Sequence, residues 1–194
     1  MGRIKSALEI ALERTNEVKG DKTSINQFEA KQRGKKFAYE YLENPELNIA
    51  DNIKQCPEEQ RKSLRQGLFD AFLSQIILPA TKEDEKRTEN AGKGLAVVIN
   101  KNKYNALLRQ FTQILTQYRE ESSQYTELLK RQYAPKLQQK EAELSRRLGR
   151  EVRIDPFQDP EFVAFYNQNI NALNANYQNA ADQFREEARC LFEE

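Results

Sequence analysis

Catalysis draws on nucleophiles, bases and metal ligands, and this chain of 194 residues has two cysteines and no histidine. Cys56 directly precedes Pro57, at a place where a helix is expected to start and its dipole favours a thiolate. Cys190 lies beside an apolar stripe and reads as a small packing residue. Neither thiol has an imidazole to serve as its base, and the two form no CxxC pair for zinc. Carboxylate pairs are frequent: Glu9 with Glu13, Glu58 with Glu59, Glu120 with Glu121, Glu186 with Glu187. A di-iron bundle needs Glu-x-x-His motifs as well, so that site is excluded in its ordinary form. Gly92, Lys93 and Gly94 resemble a phosphate loop only weakly, because no Ser or Thr follows in the position such a loop uses. No catalytic, cofactor-binding or metal-ligating residue is assigned, and no cofactor is implied.

The cations are the next source of chemistry. Lys31, Arg33, Lys35 and Lys36 form one cluster, and Arg61, Lys62 and Arg65 a second. Lys101, Lys103 and Arg109 form a third, with further basic spots at Lys130 and Arg131 and at Arg146, Arg147 and Arg150. Phosphate recognition requires several such groups on one surface. The 31 basic residues are balanced by 30 acidic ones, which points instead to solvated helical faces.

The elements that must carry these groups are helices. Residues 100–148 contain no Gly and a single Pro, Pro135, and read as one long helix or two joined near it. Tyr104, Phe111, Tyr118 and Tyr125 recur every seventh residue, with Leu107, Ile114 and Leu128 in the companion positions. Beyond them Tyr133, Leu137, Leu144 and Leu148 take over. Gly149 is a stop signal, and Asp159 followed by Pro160 a start signal. In the last helix Val163, Ile170, Tyr177, Phe184 and Leu191 are again seven apart, with Tyr166, Leu173 and Ala180 beside them. The short connector favours antiparallel neighbours, and Phe184 then lies toward Tyr104.

The N-terminal half reads as shorter helices. The first covers residues 3–19 and stops at Gly20, and the second runs to about Glu43. Gly34 weakens that second helix by about 1 kcal/mol relative to Ala. A third runs from Pro57 to about Leu78, and Thr81 with Asp84 forms a near capping box. Residues 92–99 carry a β-branched run, but no second strand exists to pair with it, so helix is favoured. No apolar run reaches signal-peptide or membrane-spanning length, and a cytoplasmic protein is expected.

The expected fold is all-α: a long antiparallel coiled-coil-like hairpin, residues 99–194, on an N-terminal helical head and linker, residues 1–98. The expected function is that of a helical interaction or scaffold protein, bound to a protein partner or to itself. Its interaction surface is sought at Tyr104, Phe111, Tyr118, Tyr125, Tyr166 and Tyr177. The alternative is a nucleic-acid-associated protein using Lys31, Arg33, Lys35, Lys36, Arg61, Lys62 and Arg65. A weaker alternative is a small-molecule or enzyme pocket between head and hairpin, with Tyr104, Arg109 or Glu187 converging on it. The opening residues 1–12, MGRIKSALEIAL, resemble the start of an uncharacterised family of small bacterial all-helical proteins. That resemblance implies a helical protein and transfers no site residues.

Overall fold

A computed structural model describes the backbone of residues 7–194 and the side chains of residues 23–194. The described chain is six α-helices and one 3-10 turn, with no strand: α1 (Ala7–Glu43), α2 (Ile49–Gln55), α3 (Glu58–Ser74), α4 (Lys82–Ile99), α5 (Asn102–Leu148), the turn Pro156–Gln158 and α6 (Pro160–Glu193).

Local signals explain most of the boundaries. The Asn48 side chain accepts the Asp51 amide at 3.1 Å and starts α2. Thr81 and Asp84 form a full capping box on α4: Thr81 Oγ1 accepts the Asp84 amide at 3.1 Å and Asp84 Oδ2 accepts the Thr81 amide at 2.9 Å. Asn100 ends α4 in the left-handed region, at φ 54°, and Gly149 ends α5 in the same way, at φ 64°.

Two boundaries depart from expectation. The stop expected at Gly20 is passed over, and α1 runs on as one helix of 37 residues. A helix can absorb one interior glycine at about 1 kcal/mol. α3 ends at Ser74 rather than near Leu78. The buried Thr88 hydroxyl of α4 donates to the Gln75 carbonyl at 3.1 Å, where the chain leaves the helix. Residues 92–99 are helical within α4. Pro135 does not interrupt α5. It lies on the exposed side, so the Arg131 carbonyl that loses its helical donor is on a water-facing residue.

The core is shared between the two halves of the sequence. Ala38, Tyr41 and Leu42 of α1, Leu64, Leu68 and Phe72 of α3, and Leu95 and Val98 of α4 join one cluster with Tyr104 and Phe111 of α5 and Ala181, Phe184 and Ala188 of α6. Phe184 stacks on Phe111 with ring centroids 4.3 Å apart and meets Tyr104 edge-on at 5.9 Å. At the end of α6, Phe192 stacks on Phe69 of α3 at 4.1 Å. Each such ring contributes roughly 1.5–3 kcal/mol by burial. The contacts therefore make a helical bundle more involved than a hairpin resting on a separate head.

Glycines set the closest approach within this bundle. A Cβ on Gly34 would fall on the Leu64 carbonyl, and one on Gly67 on the Lys31 carbonyl. Gly94 makes room for the Phe72 ring and Gly92 for the Leu108 side chain. Gly34 is therefore where two helix backbones meet, rather than only a weak point in its helix.

Candidate functional site

The two aromatic stripes are used inside the molecule as much as outside it. Tyr104, Phe111 and Tyr118 are buried by the chain itself, whereas Tyr125, Tyr166 and Tyr177 are half-buried. Tyr104 is closed off completely, and its hydroxyl donates to the Gly92 carbonyl at 3.1 Å. Burial pushes that phenol far above its ordinary range. Tyr118 packs on Tyr177 at 5.1 Å and donates to Asn174 Oδ1 at 3.0 Å. Tyr166 shares a hydroxyl contact of 3.3 Å with Thr126. Of the six aromatic residues, three are thus closed off by the fold and three keep part of their surface exposed.

The seven-residue register does not persist. The buried residues of α5 are Tyr104, Phe111, Tyr118, Leu129, Tyr133 and Leu137. After two steps of seven the stripe jumps eleven residues, passing Leu128, which is 47% exposed, in favour of Leu129 at 1%. On α6, Ile170 is followed by Ala181, another step of eleven, and Phe162 is buried in place of Val163. An eleven-residue step is three turns of about 3.67 residues, close to the 3.6 of a straight helix, while a strict heptad demands supercoiling. Leu148, expected on the inner stripe, is 56% exposed at the end of α5.

Where the register slips, a groove opens between the two helices. It has a volume of about 460 Å³ and is lined by Glu121, Gln124, Tyr125 and Leu128 of α5 and Asn169, Ala172, Leu173 and Asn176 of α6. Its lining mixes apolar side chains and amides with a single carboxylate.

The helix connector is tied down by polar groups. The Val152 amide donates to Ser145 Oγ at 2.9 Å and the Ile154 amide to Glu141 Oε1 at 2.8 Å. Asp159, the cap of α6, is buried; it accepts Lys140 Nζ at 2.8 Å and the Tyr133 hydroxyl at 3.0 Å. Lys136 and Lys140 also reach Glu161, at 2.6 and 3.3 Å. The hydrogen bond from Lys140 holds the Asp159 carboxyl below its ordinary range, and the same contact raises Lys140. Desolvation, then the bond to Asp159, raises Tyr133. Each of these carboxylates has a donor, and the arrangement works as a clamp between α5 and the start of α6.

The basic candidates are largely engaged within the fold. Lys31 pairs with Asp70 at 2.8 Å, Arg33 with Gln60, and Lys36 with Glu40 at 3.9 Å. Arg61 donates to the Cys56 carbonyl at 3.0 Å. Arg65 donates to the Val98 carbonyl at 2.6 Å and lies over the Phe192 ring. Lys35 and Lys62 alone of this set have no such partner among the described residues. Cys56 is buried and Cys190 exposed, and both are free thiols. Among the described residues no group of three or more His, Cys, Asp or Glu is placed to hold a metal ion, and no helix is long and apolar enough to cross a membrane.

The sequence profile of a family of unknown function, DUF6657, matches residues 50–190. The chain belongs to this family. The DUF6657 match runs from α2 into α6, so it takes in the groove and the clamp and leaves out residues 1–12, on which the earlier resemblance rested. No curated protein and no solved structure matches the chain.

Sequence reading missed Leu129, Phe162 and the Asp159–Lys140 clamp. Leu128 and Leu129 are adjacent leucines, so the residue pattern alone leaves the choice between them open. The clamp joins residues 19 apart whose individual roles, helix surface and helix cap, are each ordinary.

Proposed function

We propose that this DUF6657 protein is a helical interaction protein, and that its partner is an amphipathic helix of another protein seated in the groove between α5 and α6. The supporting observation is the exposure of Leu128 on a groove whose polar lining is mostly amide. Apolar side chains set among amides and one carboxylate suit a helix that presents leucine-like anchors at turn spacing and few charges beside them. In this reading residues 99–194 act as a hairpin that presents the groove, residues 1–98 act as the head that anchors it, and the protein works in the cytoplasm. The engagement of most cations of the first two basic clusters favours a protein partner over a nucleic acid.

The test is photocrosslinking from position 128 in living cells, with nuclease added to half of each lysate. A discrete protein adduct is expected that survives nuclease. It should disappear in a chain carrying Leu173→Arg and persist in one carrying Lys62→Gln. An adduct that ignores Leu173→Arg, or one lost on nuclease treatment, overturns the proposal.

A further inference from the structure

The far end of α5 carries a surface that the groove does not use. Arg146, Arg147 and Arg150 are all exposed, and among the described residues none has an ion-pair partner or a hydrogen-bond acceptor. They flank Leu148, one of the most exposed large apolar side chains described, at 56%. The nearby acids are partly committed: Glu151 pairs with Arg153 at 3.2 Å, and Asp155 holds the Phe157 amide at 2.9 Å. Glu143 lines a cleft with Lys140 and Arg147 but makes no ion pair with either. The last α5 side chain buried in the shared core is Phe111. Leu148 is 37 residues further on, or roughly 55 Å at about 1.5 Å per residue. Arg146 and Arg147 also suit the negative end of the helix dipole, but Arg150 lies beyond Gly149 and outside the helix.

We propose that this end of the molecule docks on an anionic lipid bilayer, with Arg146, Arg147 and Arg150 on phosphate headgroups and Leu148 inserted between them. Guanidinium groups with no acceptor among the described residues match phosphate oxygens. An exposed leucine beside them in the chain gains from the acyl boundary of a bilayer, whereas a duplex phosphate backbone offers it nothing. Contact is peripheral, since none of the described helices can span a membrane.

The test is co-sedimentation of the full chain with vesicles of phosphatidylcholine alone or mixed with phosphatidylglycerol. Wild type is expected to sediment with the anionic vesicles only, and less at high salt. Replacing the three arginines by Gln should lower partitioning about a hundredfold, at about fivefold per charge. Leu148→Ser should lower it severalfold, and Lys62→Gln should leave it unchanged. Far-ultraviolet circular dichroism checks that each variant keeps its helices. Equal sedimentation of wild type and the triple variant, or of either with neutral vesicles, overturns the proposal. So does a DNA duplex bound through the same three arginines while anionic vesicles are not.

Discussion

Gly34 on α1 and Gly67 on α3 face the same helix crossing from opposite sides, each resting on a carbonyl of the other helix, at Leu64 and Lys31 respectively. The two absences of a side chain are reciprocal, and together they let the backbones touch. Propensity alone favours Gly34→Ala by about 1 kcal/mol. The crossing predicts the opposite sign, because an added methyl meets backbone rather than a side chain that can swing away. Gly34→Ala and Gly67→Ala should each destabilise the chain by roughly 1–3 kcal/mol in urea unfolding. A gain in stability for Gly34→Ala would falsify the close crossing.

The adjacent leucines of α5 make a sharper test of register. Leu129→Ala is expected to cost about 2–5 kcal/mol, as for a filled core site. Leu128→Asp, one residue away, should change stability by less than about 0.5 kcal/mol. Thermal melts of the two variants read this directly, and the reverse ranking would restore the seven-residue register.

Tyr104 joins α5 to α4 through packing and one hydrogen bond. Tyr104→Phe keeps the ring and removes the bond to Gly92, so a loss of about 0.5–1.5 kcal/mol is expected. Tyr104→Ala empties the site and should cost about 3–5 kcal/mol. Similar losses for both would mean that the hydroxyl, not the ring, holds the contact.

The Asp159 clamp has a defined pH dependence. Its carboxyl lies below the ordinary range when folded, so its contribution is present above the unfolded value of about 3.9 and is lost as pH falls through the lower folded value. Asp159→Asn removes the charge that Lys140 meets and retains an oxygen to cap α6. Wild type should therefore be more stable than the variant at pH 7, and the gap should close below about pH 4. A gap that stays constant down to pH 2 would mean that the ionised pair contributes nothing.

Ile170 reads as a seam residue in the sequence and is buried in the fold, at 6% exposure. Ile170→Ala should destabilise by about 2–5 kcal/mol in chemical denaturation. An unchanged midpoint would place Ile170 outside the packed interface.

The sequence by itself determined the helical class, the capping of α4 by Thr81 and Asp84, the stop at Gly149 and the start at Asp159. These signals act within one or two turns, so local chemistry is enough to read them. It also placed Tyr104, Phe111, Tyr118, Ile170 and Phe184 on inward faces, because a period of three to four residues survives whatever lies opposite. Only the tertiary structure decided the rest. Gly20 and Gly34 look alike in one dimension, yet α1 runs through the first and meets another backbone at the second. Leu129 displaces Leu128, and Phe162 displaces Val163, because a period of about 3.6 residues drifts out of a seven-residue register and eleven-residue steps restore contact. The cations at Arg33, Arg61 and Arg65 are absorbed by acceptors that folding brings to them, while Arg146, Arg147 and Arg150 are left without any among the described residues. Which side chain is free is a property of its neighbours, and those neighbours are distant along the chain.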